Sequence, residues 1–140
     1  MRVLIVEDDP NLQLLWEGAF EQYGHQSTQS GCKLEALELL EKDRFDLILL
    51  DLCLSDGNGL GLANQVDASE GHTPIVIVTG SSTYQNGELF GQSESIVAVL
   101  RKPVDIEDLI DVTEFVSDPN ETLSVASFSA NGLEIRGCLT

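Results

Sequence analysis

Residues 45–51 read Phe-Asp-Leu-Ile-Leu-Leu-Asp, an apolar run from Leu47 to Leu50 that stops at a carboxylate. A strand with one solvated face alternates apolar and polar residues, whereas a short continuous run suits a strand buried on both faces. Val3-Leu4-Ile5-Val6 before Glu7, Pro74 to Val78 before Thr79, and Ile96 to Leu100 before Arg101-Lys102 have the same character. Helical patterns separate these runs. Asp9 can cap open amides and Pro10 suits a first helical position. Leu12, Leu15, Trp16, Ala19, Phe20 and Tyr23 then recur at helical spacing, and Gly24 is a stop.

A weak polar strand over Gln26 to Gln29 precedes Ser30 and a second helix carrying Leu34, Ala36, Leu37 and Leu40. The turn Ser55-Asp56-Gly57-Asn58-Gly59 leads into a third helix around Leu60 to Ala68. Residues 84 to 95 are the poorest element, because Gly87 and Gly91 each cost about 1 kcal/mol inside a helix. A mobile fourth helix is expected there. Asp105 opens a fifth, with a core stripe of Ile106, Leu109, Ile110, Thr113 and Val116. Five strands alternating with five helices make a doubly wound α/β fold around a five-stranded parallel sheet, for which 2-1-3-4-5 is one of two common strand orders.

With 140 residues and 42% apolar content, the chain suffices for one domain with a sizeable core. Twenty-four acidic residues against seven basic ones give a formal charge of -17, which would repel a polyphosphate backbone, so no nucleic-acid partner is expected. No apolar run approaches the roughly 18–20 residues of a membrane span. The expectation is a cytoplasmic protein with no membrane partner. Cys32, Cys53 and Cys138 are odd in number and lack CxxC spacing, which favours reduced thiols over a disulfide framework or zinc site. His25 and His72 have no partners at metal-ligand spacing and read as surface residues.

In such sheets ligands sit outside the carboxyl ends of the strands. The residues there are Glu7-Asp8, Asp51, Thr79 and Lys102, and the order 2-1-3-4-5 brings them to one crevice. Each alone has an ordinary structural role as cap, edge hydroxyl or solvated charge; their coincidence at matching strand ends is the signal. Carboxylates about 5 Å apart repel by about 3 kcal/mol per pair at an effective dielectric near 20. A small hard dication relieves that cost, and Mg²⁺ is typically held by carboxylates plus substrate phosphate. With Lys102 it would form a cationic clamp for a phosphoryl group. A carboxylate oxygen of the centrally placed Asp51 could then attack phosphorus, Thr79 donating a hydrogen bond, to give an aspartyl phosphate.

The stretches LIVEDDP (4–10), DLILLDLCLSDGNGL (46–60) and PIVIVTG (74–80), with the Lys102-Pro103 pair, resemble the response-regulator receiver domain of two-component signalling, over about residues 1 to 117. That resemblance implies a CheY-like, flavodoxin-like sheet and a phosphoacceptor domain that catalyses only its own phosphorylation and dephosphorylation. It implies Glu7 and Asp8 as the acidic metal pair and Asp51 as phosphoacceptor and metal ligand. It also implies Cys53 as donor of a backbone carbonyl to Mg²⁺, Thr79 as switch hydroxyl and Lys102 as the phosphate-pairing lysine. A cis peptide before Pro103 belongs to the same pattern. Ser55, Gly80 and Ser95-Ile96 depart from the family's usual Pro, Ala and Gly-Ala. Val99 stands where receivers usually place a Tyr or Phe, which puts the usual aromatic readout in question and shifts the expected reordering to residues 84 to 95.

The implied partners are a sensor histidine kinase or phosphotransfer protein and a downstream protein target, with a homodimer through the fourth-helix/fifth-helix face or the tail as an option. A haloacid-dehalogenase-type aspartyl-phosphate phosphatase would need an Asp where Cys53 stands, and in an FMN binder Glu7-Asp8-Asp9 would repel the phosphate. No output module follows, so the chain reads as a single-domain regulator or as the receiver fragment of a larger regulator or hybrid kinase. Residues 118 to 140 form a C-terminal extension, read either as a β-hairpin docked within the chain or across a dimer, or as a flexible linker truncated before another domain. Asn131-Gly132 favours a two-residue hairpin turn, pairing Ala130 with Leu133 and Phe128 with Ile135. The apolar face of that hairpin would cover Phe115, opposite the core stripe of the fifth helix, and Val112 at its margin.

Overall fold

The computed structural model describes residues 1–54, 57–69, 73–80, 88–117 and 134–135. The chain runs β1 (Arg2–Val6), α1 (Pro10–Gln22), β2 (Gln26–Ser30), α2 (Lys33–Lys42), β3 (Leu47–Asp51), β4 (Cys53–Leu54), β5 (Gly57–Asn58), α3 (Leu60–Ala68), β6 (Ile75–Thr79), a 3₁₀ turn (Glu88–Gly91), β7 (Ile96–Arg101), α4 (Ile106–Ser117) and β8 (Glu134–Ile135). The sheet order is β2-β1-β3-β6-β7-β8. Its first five members are parallel, the 2-1-3-4-5 order expected, and β8 adds an antiparallel sixth strand.

The continuous apolar runs are strands buried on both faces: every residue of Val3–Val6, Leu47–Leu50 and Ile75–Val78 has no exposed surface. Alternation along each strand divides the core in two. Val3, Ile5, Leu47, Leu49, Val76 and Val78 face α1 and α4, where Trp16, Phe20, Leu109 and Ile110 meet them. Leu4, Val6, Ile48, Leu50, Ile75 and Ile77 face α2 and α3, with Ala36, Leu62 and Val66. Each such leucine or isoleucine contributes about 1.5–3 kcal/mol on burial, so the two layers together hold the sheet flat against its helices.

Asp9 caps α1 by accepting the Asn11 N–H at 2.9 Å, Pro10 occupies the first turn, and Gly24 ends the helix at φ +84°, a conformation open to glycine. Asp105 caps α4 by accepting from the Glu107 and Asp108 amides. The helix stripes are narrower than their periodicity implies. Leu15 is 47% exposed because it lies at the margin of the α1 face, and Tyr23 is 45% exposed because it is the cap residue, where helical geometry has already ended. Leu34, in the first turn of α2, is 64% exposed.

Between 84 and 95, the described residues hold only the single 3₁₀ turn Glu88–Gly91 in place of the expected helix. Val112 is fully buried rather than marginal, and it shares its core layer with Ile135; Phe115, partly buried, packs against the same layer. The Ala130–Leu133 and Phe128–Ile135 pairings lie outside the described residues, apart from Ile135 itself, whose described partner is Ala98 of β7. His25 is not a free surface residue. Its Nε2 lies 2.9 Å from Glu114 Oε2 and its Nδ1 3.1 Å from the Met1 amine, tying the start of β2 to α4. His72 and Cys138 lie outside the described residues; Cys32 and Cys53 are free thiols.

Candidate functional site

The parallel register brings strand ends into line. Val6 pairs with Leu50, Asp51 with Val78, and Thr79 with Arg101, so Glu7, Asp51, Thr79 and Lys102 emerge on one edge of four adjacent strands. The side chains of Glu7, Asp8, Asp51 and Lys102 meet there. Glu7 is 1% exposed, Asp51 is buried and Asp8 is exposed at the rim. Carboxylate oxygens of these three lie within 4.8 Å of one another. Lys102 Nζ stands 3.3 Å from Asp51 Oδ2 and 3.6 Å from Glu7 Oε1. Thr79 is wholly buried, and its carbonyl accepts the Lys102 N–H at 2.9 Å. The Lys102–Pro103 peptide is cis, as the resemblance implied.

Asp51 is aimed by the chain that follows it. The Cys53 N–H donates to Asp51 Oδ1 at 3.0 Å, and Gly59 closes the β4–β5 hairpin back over the strand end through its own N–H to the Leu52 carbonyl. A Cβ at Gly59 would lie 2.8 Å from the Asp51 carbonyl oxygen, which is why the turn needs glycine there. Two contributors escaped the strand-end reading. The Gln13 side-chain amide donates to the Glu7 carbonyl, and the Trp16 ring lies beneath Lys102 with its centroid 5.9 Å from Nζ. Both sit on α1 among residues whose spacing signals only a buried helix face.

Three acids face one lysine, and the imbalance appears in Glu7. Burial, a hydrogen bond to Asp51 and the Asp51 charge push its carboxyl up to about 8, with Lys102 pulling the other way. Its Oε2 is buried without a hydrogen-bond partner. An orphaned, buried oxygen on a carboxylate clustered with two others is the environment a hard, oxygen-seeking dication fits, so the donor set suits Mg²⁺.

Comparison with known proteins places the fold in a family. Residues 3–114 match the family described as the response regulator receiver domain. The chain is 26% identical over 115 residues to sporulation initiation phosphotransferase F of Bacillus subtilis, covering 81% of this chain and 90% of that protein. It is 37% identical over 115 residues to the response regulator ArlR of Staphylococcus saprophyticus, covering 78% of this chain but about half, 49%, of ArlR. Among solved structures, a CheY-like receiver domain protein from Methanospirillum hungatei superposes with a TM-score of 0.77 at 25% identity, covering 84% of this chain and 94% of that one. A Thermotoga maritima response regulator solved in complex with Mg²⁺ and BeF shares the fold, with a TM-score of 0.71 at 21% identity over 81% of this chain and 96% of that one. No helix among the described residues is long and apolar enough to cross a membrane. The chain belongs to the response regulator receiver domain family of two-component systems.

Proposed function

We propose that Asp51 is the phosphoacceptor of a two-component phosphorelay, phosphorylated by a histidine kinase or phosphotransfer protein in a Mg²⁺-dependent reaction that switches a protein–protein interaction. The observation that carries this is the placement of Lys102 3.3 Å from Asp51 Oδ2 beside a buried, partnerless Glu7 oxygen. Glu7, Asp8 and Asp51, with the Cys53 backbone carbonyl, would hold the ion. When bound, Mg²⁺ neutralises the carboxylates and stabilises charge on the transferring phosphoryl oxygens. A carboxylate oxygen of Asp51 attacks phosphorus, the P–N bond of the phosphohistidine breaks, and its electron pair returns to the imidazole. The Cys53 N–H orients the carboxylate through its other oxygen. The Lys102 ammonium pairs with a phosphoryl oxygen, and the Thr79 hydroxyl moves to donate to another.

Residues 1–117 act as the receiver unit in this reading, and residues 118–140 extend it. The test is labelling by a phosphohistidine donor or acetyl phosphate with and without Mg²⁺. Label on Asp51 that requires the ion and is lost in Asp51→Asn is the expected result. Metal-independent label, or undiminished label in Asp51→Asn, overturns the mechanism.

A further inference from the structure

Trp16, the chain's single tryptophan, is only 2% exposed. It shares its core layer with Val78 and Leu100, residues close in sequence to Thr79 and Lys102. The Lys102 ammonium lies 5.9 Å from the Trp16 ring centroid while also reaching Asp51 and Glu7, which puts the ring next to the strand-end cluster. Lysine carries a compact, strongly hydrated charge on a flexible four-carbon stem, so its head must be held by what surrounds it. Carboxylates hold it poorly at this site, because any dication that Glu7 and Asp51 bind draws on the same two carboxylates. A ring face attracts a cation through its quadrupole and takes no part in binding a hard metal ion.

We propose that Trp16 is a positioning residue for Lys102: its indole face keeps the ammonium beside Asp51 when the surrounding carboxylates are engaged elsewhere, poised for the incoming phosphoryl group. The proposal rests on the reading of Asp51 as phosphoacceptor. Because Trp16 is the sole tryptophan, growth on fluorinated tryptophans changes this ring alone, and each added fluorine weakens the negative ring face with little change in shape.

The test measures phosphorylation of Asp51 by acetyl phosphate at saturating Mg²⁺ across unsubstituted, mono-, di- and trifluorinated protein, with the melting temperature of each as a check on folding. The expected rate falls stepwise, by about three- to tenfold over the series, while Mg²⁺ affinity stays constant. Trp16→Phe should retain most of the rate and Trp16→Leu should not. A readout independent of phosphoryl transfer is the proton shift of the Lys102 ε-methylene, assigned by its loss in Lys102→Met. Ring current should displace it upfield, the displacement should survive addition of Mg²⁺, and it should vanish in Trp16→Leu. A flat rate across the fluorinated series, or an ε-methylene shift that is ordinary or returns to ordinary on adding Mg²⁺, overturns the proposal. Absence of label on the unsubstituted protein overturns instead the phosphoacceptor reading, and with it the role in transfer, whatever the ring-current shift shows.

Discussion

Lys102 Nζ lies 3.3 Å from Asp51 Oδ2 although the strands that deliver them, β7 and β3, are not neighbours: β6 runs between them, and the lysine stem reaches across its end beside Gly80. One cation thus spans the crevice while three carboxylates share its far side. This leaves the site short of positive charge and makes its energetics depend on protons and metal.

Glu7 follows from that imbalance. Its carboxyl is pushed up to about 8, mainly by burial, so the folded protein holds the Glu7 proton more tightly than the unfolded chain does at its ordinary value of 4.5. The stabilisation is complete below that ordinary value and is lost as pH rises toward about 8. Metal-free unfolding by urea should therefore show stability falling across this window, by on the order of a few kcal/mol from this group. Glu7→Gln should flatten the fall and be the more stable protein at pH 8. Mg²⁺ affinity of the unaltered protein should rise over the same range, because binding must displace the proton.

Asp8 sits at the exposed rim of the same cluster, so its charge adds repulsion without adding core packing. Asp8→Asn should raise the metal-free melting temperature, on the order of 2–5 °C, and weaken Mg²⁺ binding. Calorimetry with and without the ion checks both, and a lower melting temperature without metal contradicts the repulsion argument.

Asp67, near the end of α3, accepts from Ser93 Oγ at 2.8 Å and from the Ser95 amide at 2.9 Å, pinning the segment that enters β7. Burial alone would raise its carboxyl, but hydrogen bonds from Ser95 and Ser93 hold it below its usual value of 3.8. The tie is therefore present above that ordinary value and is lost as pH falls below it. Asp67→Ala should cost about 1–3 kcal/mol near neutral pH and speed amide exchange at Ser95, which hydrogen-exchange measurements would report.

Ile135 is 6% exposed and pairs with Ala98 at the outer edge of β7, in the same core layer as Val112. Ile135→Ala should lower stability by about 2–3 kcal/mol, the low end for a buried Ile→Ala because the site is at the sheet edge. Truncation after Ser117 should lower the melting temperature at least as far and expose the β7 edge amides at Ala98 and Val99 to exchange. An unchanged melting temperature on truncation would show that β8 adds nothing to the stability of the sheet.

Local pattern determined most of the architecture. Continuous apolar runs of four or five residues bounded by polar ones read as doubly buried strands, and the acids, hydroxyl and lysine that end Val3–Val6, Leu47–Leu50, Ile75–Val78 and Ile96–Arg101 were legible as a candidate site once those strands were placed side by side. What the tertiary structure alone decided are the contacts between residues remote in sequence. Trp16 beneath Lys102, Gln13 on the Glu7 carbonyl, His25 against Glu114 and Ile135 beside Ala98 depend on which helix crosses which strand end. Periodicity also could not show that Leu15, Tyr23 and Leu34 stay exposed while Val112 is buried. The reason is physical: spacing defines which residues share a face, but the width of the face that is buried is set by the neighbour packed on it, and that neighbour comes from elsewhere in the chain.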